Sequence, residues 1–228
     1  MTKQLLLIDG NSIVFRAFFA MHNQMDKFTN KDGLHTAAIY GFKLMLDHVL
    51  QNFKPDTALV AFDAGKVTFR TKMYDDYKGG RNKTPNELTE QIPYVRELIK
   101  DSGLHSYELA NYEADDIIGT LAKQADDAGY KTLIVTGDRD LTQLASENTT
   151  VAVTHKGVTD TEHYTPAHVE EKLGITPRQI IDMKALMGDS SDNYPGVTKI
   201  GEKTAIKLVK QFGSVEELYD HIDDLKKS

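Results

Sequence analysis

The sequence predicts an α/β fold with a mainly parallel central sheet and flanking helices, followed by a helical module. Three observations carry the architecture. Apolar runs of strand length alternate with stretches of helical period from Gln4 to Thr154. Those strand runs are continuously apolar rather than alternating, as expected for strands covered on both faces. From Thr165 onward the chain carries only helix-start and helix-stop signals. The boundary is expected near residue 160, giving an α/β region over 1–160 and a helical region over 161–228.

In chain order, Gln4 to Ile8 reads as a buried strand, and Asp9-Gly10-Asn11-Ser12 as a turn into a helix. A polar loop spans His22 to His35. Ala37 to Phe53 has helical period through Ile39, Phe42, Leu46, Val49 and Leu50, closed by Lys54-Pro55. Thr57 to Phe62 is the second strand, ending in Asp63. Lys66 to Lys83 has no period, is basic and aromatic, and is expected to be exposed and mobile. Thr84-Pro85-Asn86-Glu87 has the form of a capping box opening a helix to about Ser102, with a kink expected at Pro93. His105 to Leu109 gives a short strand, and the helix after it turns Ile117, Ile118, Leu121, Ala122 and Ala125 inward before Gly129 ends it. Thr132 to Thr136 and Thr149 to Thr154 are two more strands. Thr165-Pro166 and the capping box Thr176-Pro177-Arg178-Gln179 open helices, and a glycine-containing turn leads to another.

Composition removes several function classes. The chain has no cysteine, which excludes thiolate zinc sites, cysteine nucleophiles and disulfides. It has neither a signal-peptide core nor an apolar run near the roughly 20 residues of a membrane span, so a soluble cytoplasmic protein is expected. A net charge of -7 argues on average against nucleic-acid binding, but the charge is segregated. Lys66, Arg70, Lys72, Lys78, Arg81 and Lys83 face only Asp75 and Asp76 within their segment, and Lys199, Lys203, Lys207 and Lys210 face only Glu202.

The acids are distributed by the strands. Asp9, Asp63 and Asp138 follow three strand ends, Asp140 lies two residues later, and a fourth strand leads into Tyr112-Glu113-Ala114-Asp115-Asp116. Gly188-Asp189-Ser190-Ser191-Asp192 adds two acids from the helical region. In an open α/β sheet the functional crevice lies at the carboxyl ends of the strands, so these nine acids are expected to face one crevice. Any one of them could be a helix cap. Several at the same strand end exceed what capping needs, and two carboxylates about 4 Å apart repel by roughly 4 kcal/mol at an effective dielectric of 20. An all-oxygen set selects a hard cation, Mg²⁺ or Mn²⁺. Two such ions suit in-line phosphoryl displacement, and hence phosphodiester hydrolysis.

Basic residues fit that chemistry. Arg16 lies on the helix after Asp9, and Tyr77-Lys78-Gly79-Gly80-Arg81 places an aromatic face beside two cations, a combination that stacks a base and holds phosphate. In Gly196-Val197-Thr198-Lys199-Ile200-Gly201-Glu202-Lys203-Thr204, two glycines permit a tight hairpin, and Gly201 precedes a helix whose free amides form an anion site.

Taken together and in this order, these motifs resemble the 5′ nuclease (flap endonuclease-like) family, most closely the 5′-3′ exonuclease domains at the N-terminus of bacterial polymerases. The resemblance implies a PIN-type fold and an arch near residues 66–92 that passes a single-stranded 5′ end. It also implies a helix-hairpin-helix (helix-three-turn-helix) module that grips duplex DNA through Val197, Lys199, Lys203 and Thr204. Two divalent ions are implied, the tighter held mainly by Glu113, Asp115, Asp116 and Asp138, the second by Asp140, Asp189 and Asp192, with Asp9 and Asp63 shared or water-mediated. Lys78 and Arg81 would position the scissile phosphate beside Arg16, and hairpin carbonyls would bind K⁺. The implied substrate is 5′-flapped, nicked or 5′-ended duplex DNA, RNA-primed included, in replication and repair near the bacterial nucleoid. Further helix beyond residue 228 and a polymerase domain in the parent chain are expected. Two alternatives stand beside this reading. A PIN-like ribonuclease would share the acids but lack the duplex-binding hairpin, and a DNA-junction module would bind without cutting.

Overall fold

The computed structural model describes residues 2–21, 27–155 and 159–224. Part of the polar loop, residues 22–26, therefore lies outside the described residues. Strand β1 (Gln4–Asp9) is followed directly by α1 (Gly10–Met21), then α2 (Ala37–Phe53), β2 (Thr57–Ala61), and the short helices α3 (Phe69–Met73) and α4 (Asn86–Thr89). Next come α5 (Ile92–Asp101), β3 (His105–Tyr107), α6 (Ala114–Asp127), β4 (Lys131–Thr136), a 3₁₀ turn over Arg139–Leu144, and β5 (Thr149–Thr154). The chain continues through β6 (Thr161–Tyr164), α7 (Pro166–Leu173), α8 (Gln179–Met187), β7 (Gly188–Asp189), β8 (Tyr194–Pro195), α9 (Glu202–Phe212) and α10 (Val215–Asp220).

The sheet order is β3-β2-β1-β4-β5-β6, with all neighbours parallel except the antiparallel β5–β6 pair. Because side chains alternate along a strand, β1 serves two cores at once. Leu6 and Ile8 join Val60, Phe62, Leu133 and Val135 under α1, α2 and α5, whereas Leu5 and Leu7 join Ile134, Val151 and Val153 under α6 and the C-terminal helices. This two-sided burial explains why the strand centres, residues 5–8 and 133–135 among them, are continuously apolar. It also fixes the register, since a slip of one residue would exchange the two cores.

Several expectations change. The helix expected from Pro85 to Ser102 is two helices: α4 ends at Thr89 and α5 begins at Ile92, with Pro93 in its first turn. A proline lacks the amide and crowds the preceding turn, so the break comes ahead of it instead of a kink at it. The fully buried Gln91 fills the break, accepting from the Ala38 amide at 2.8 Å and donating to the Glu87 carbonyl at 2.8 Å. The Thr84 capping box does not form, because the extended Pro85 itself takes the N-cap place. Of the Thr176 box one half is present, the Gln179 side chain accepting from the Thr176 amide at 3.0 Å. The C-terminal region is not purely helical: β6 joins the sheet edge, and β7–β8 form a small antiparallel ladder.

Candidate functional site

Parallel pairing places the carboxyl ends of β1, β2 and β4 side by side, with Asp9 opposite Ala61 and Ile8 opposite Val135. Asp9 is the last residue of β1, and Asp63 and Asp138 lie two residues beyond β2 and β4. Glu113 is the N-cap of α6, which brings Asp115 and Asp116 into its first turn.

Four acids form the centre. Asp9 is buried and accepts from the Ser12 amide at 3.0 Å and the Thr136 hydroxyl at 2.8 Å. Burial pushes its pKa up to about 6, those hydrogen bonds oppose the rise, and the Asp63 and Asp138 charges add to it. Burial likewise pushes Asp115 up to about 8, reinforced by Asp9, Asp138 and Asp63 and opposed by Lys78. Asp63 accepts from Asn11 at 2.7 Å and from the Ala114 amide at the start of α6 at 2.8 Å. Among the described residues, none of Asp9, Asp63, Asp115 and Asp138 forms an ion pair.

The other five acids each hold a basic side chain. Lys78 pairs with the buried Glu113 at 2.7 Å, and Arg81 with Asp192 at 2.5 Å. Lys184 bridges Asp140 at 2.8 Å and Asp189 at 2.7 Å. Burial raises Asp140 to about 6 despite Lys184; Asp189 is also partly buried, but Lys184 and Ser191 hold it well below the usual carboxylate range. Arg70 grips Asp116 through two 2.7 Å hydrogen bonds, and Asp116 also accepts from the Glu113 amide at 3.0 Å. The pull of Arg70 outweighs burial and lowers the Asp116 pKa. Asp116, expected among the tighter ion's ligands, thus has both oxygens engaged as an anchor and helix cap. Among the described residues no three acids or histidines converge closely enough to hold one ion as they stand.

The donor chemistry nevertheless fits a hard divalent cation. The centre is all oxygen, and the raised pKa values of Asp9 and Asp115 record burial first and neighbouring negative charge second, both of which a bound cation would offset.

The 66–83 segment is not simply exposed. The Tyr77 ring is buried, and its hydroxyl lies 3.1 Å from both Glu113 and Asp192, so it can donate to only one at a time. Burial and both carboxylates raise the Tyr77 pKa, keeping the phenol protonated. The Lys78 amide donates to the Asp192 carbonyl at 2.9 Å, and Asn193 donates to the Asp76 carbonyl at 2.9 Å. The ring of Tyr74 lies 5.4 Å from that of Tyr194. The acids draw this basic and phenolic stretch down onto the Ser191–Tyr194 loop, and the expected base-stacking face of Tyr77 is covered. Arg16 is held by Thr154 at the end of β5, its Nε donating to the hydroxyl at 2.9 Å and its guanidinium to the carbonyl.

In the hairpin, Gly196 is required by space, since a Cβ there would stand 2.2 Å from the Met187 carbonyl carbon. Gly188 is required twice over, by φ +76° and by a Cβ that would meet the Gly196 nitrogen at 2.3 Å. Gly201 has φ -98° and open space around it, so this backbone does not demand glycine there. It caps α9 without a side-chain hydrogen bond, beside exposed Lys199, Lys203 and Thr204, while Val197 is about half exposed.

The sequence reading missed Arg70, Lys184 and Gly188. Gly188 carried a signal as the glycine ending an apolar helix. Arg70 and Lys184 were visible only as charges, because Arg70 has its partner 46 residues away and Lys184 reaches two separate loops.

A family model described as 5′-3′ exonuclease, N-terminal resolvase-like domain, matches residues 4–174, and one described as 5′-3′ exonuclease, C-terminal SAM fold, matches residues 175–228. Over 226 residues the chain is 59% identical to DNA polymerase I of Streptococcus pneumoniae, covering 99% of this chain and 26% of that protein. It is 58% identical over 223 residues to DNA polymerase I of Bacillus subtilis, covering 98% and 25%. The chain therefore spans about a quarter of the length of these curated relatives. Among solved structures, a bacteriophage T5 5′-exonuclease with bound zinc matches with a TM-score of 0.79 at 23% identity, covering 99% of this chain and 82% of that one. The catalytic core of Rad2 in complex with a DNA substrate matches with a TM-score of 0.60 at 17% identity, covering 98% and 66%. These two likenesses agree on the fold.

Proposed function

We propose that this chain, which belongs to the 5′-3′ exonuclease family, is a structure-selective, divalent-metal-dependent nuclease that hydrolyses phosphodiesters at DNA 5′ ends and flaps. The observation that carries this is the centre of four acids without ion-pair partners among the described residues at the ends of parallel strands, where burial, reinforced by neighbouring carboxylates, raises Asp9 and Asp115. Asp9, Asp63, Glu113, Asp115 and Asp138 would hold one Mg²⁺ or Mn²⁺, and Asp140, Asp189 and Asp192 a second, with Asp116 behind them as the anchor of Arg70. Such ions lower the pKa of bound water and stabilise the leaving oxygen of an in-line displacement.

The chain's own residues supply the rest. Lys78 and Arg81 stand at the rim of the basin, paired with Glu113 and Asp192, where they offer charge-assisted hydrogen bonds to a phosphate. Arg16 would add charge from the β5 side. The buried Tyr77 hydroxyl orients Glu113 or Asp192. At the hairpin, the free amides at the start of α9, with Lys199, Lys203 and Thr204, receive duplex phosphates without reading sequence. The hairpin carbonyls would bind K⁺. The substrates would be flapped, nicked or 5′-ended DNA, RNA-primed ends included, in the cytoplasm at the nucleoid. A polymerase domain in the same parent chain accords with the length of the relatives.

The test is to incubate the protein with a 5′-flap duplex, with and without Mg²⁺, beside an Asp115→Asn variant. Metal-dependent product from the wild type and little from the variant is expected. Binding without any metal-dependent product would leave a junction-binding module instead.

A further inference from the structure

Beside the first turn of α6, which carries Asp115 and Asp116, lies an aromatic pair that the mechanism above does not use. Phe69 and Tyr112 pack with ring centroids 5.8 Å apart and planes inclined at 56°, yet remain 37% and 44% exposed. The pair is built from two distant segments and firmly held. The Phe69 amide donates to the Asn111 carbonyl at 3.0 Å, in a parallel bridge joining Thr68 to Asn111. The Arg70 guanidinium lies 4.5 Å from the Phe69 ring centre while its two 2.7 Å bonds to Asp116 tie it to the first turn of α6. One basic side chain thus supports the platform and anchors it to the helix that carries the acids. Lys72 stands beside it, its ammonium donating to the neutral side-chain amide of Asn111 at 3.0 Å, so its charge is not spent on a carboxylate there.

We propose that Phe69 and Tyr112, flanked by Lys72, form a stacking platform for unpaired bases of a single-stranded 5′ tail. The proposal rests on the nuclease reading above and names the part of the substrate that this surface takes. Aromatic faces beside cations suit single-stranded nucleic acid, because the face of every base is flat and the backbone between bases is anionic. A duplex does not fit the same surface, since its base faces are covered by their neighbours. Position supports the assignment: Tyr112 immediately precedes Glu113, whose carboxylate faces the basin. A strand with its scissile phosphate at the acids would bring an unpaired base onto the platform within a few nucleotides. Arg70 acts here as a positioning residue that fixes Phe69 and the foot of the basic segment.

The test places 2-aminopurine at successive positions of the 5′ tail of a flap duplex, with Ca²⁺ in place of Mg²⁺ to keep the complex uncut. Stacking should quench its fluorescence at one or two tail positions. The quenching should vanish in the Phe69→Ala/Tyr112→Ala double variant and persist in Tyr112→Phe. Since stacking on an aromatic is worth about 1–3 kcal/mol per base, the double variant should bind the tailed duplex about tenfold more weakly. Replacing the tail with an abasic strand should weaken wild-type binding to a similar degree, which requires no variant to fold. Melting curves confirm that the double variant is folded. Equal quenching in the double variant, or an abasic tail bound as tightly as a normal one, would overturn the platform. Metal-dependent cleavage of an untailed 5′-ended duplex would survive that failure, whereas failure of the nuclease reading would abolish cleavage of every substrate and remove this proposal with it.

Discussion

Asp115→Asn should make the metal-free protein more stable, although it removes a proposed metal ligand. Asp115 is raised from 3.8 to about 8 by burial and then by Asp9 and Asp138. Between these values the folded state binds the proton and the unfolded state does not, so the group subtracts stability as pH rises from about 4 to about 8. The shift sets a ceiling of about 6 kcal/mol at roughly 1.4 kcal/mol per pH unit. Asp9, Asp63 and Asp138 continue to repel one another after the substitution, so we expect a gain of about 2 kcal/mol. For a chain of this length that raises Tm by roughly 4–8 °C. The assay is thermal melting in a chelator at pH 8 and at pH 5. The gain should be large at pH 8 and much smaller at pH 5, where Asp115 is protonated. Saturating Mg²⁺ should reverse the order, stabilising the wild type more than the variant. A variant destabilised at pH 8 without metal, or equally stabilised at both pH values, would refute the repulsion argument.

Three further substitutions separate structure from binding. Arg70→Ala leaves Asp116 without its bidentate partner and should cost about 2–3 kcal/mol in urea unfolding, with Arg70→Lys recovering only part of it. Gly196→Ala should destabilise by about 2 kcal/mol or more, because its Cβ would stand 2.2 Å from Met187, whereas Gly201→Val should leave Tm nearly unchanged and weaken binding to duplexes of every sequence alike. A sequence-specific loss in Gly201→Val would count against phosphate contact there. Lys184→Met removes the cation shared by Asp140 and Asp189, so the metal-free protein should lose about 1–2 kcal/mol while Mn²⁺ binding tightens, as calorimetry would show.

The β1, β2, β4 and β5 strands are legible because their centres, residues 5–8, 58–61, 133–135 and 151–153, are continuously apolar. The polar edge strand Thr161–Tyr164 and the two-residue strands β7 and β8 left no such trace. The acids were legible for a related reason: Asp9, Asp63 and Asp138 follow the strongest strands, and topology alone brings those ends together. Their partners were not. Glu113 meets Lys78 across 35 residues and Asp192 meets Arg81 across 111, and nothing local in the chain couples such pairs. Tyr77 was read as an exposed stacking ring because aromatic and basic residues without a period suggest a loop. It is buried because the same acids that were legible attract its hydroxyl. Gly201 has no positive φ; the left-handed positions fall instead at Gly188, where the chain leaves α8, and at Lys199 within the hairpin.

The central claim, that acids from both halves of the chain jointly hold divalent ions, is tested most directly by counting Mn²⁺ bound per chain by electron paramagnetic resonance. The account predicts two ions, the weaker lost in Asp189→Asn and the tighter weakened at least tenfold in Asp115→Asn. Binding that neither substitution alters would contradict it.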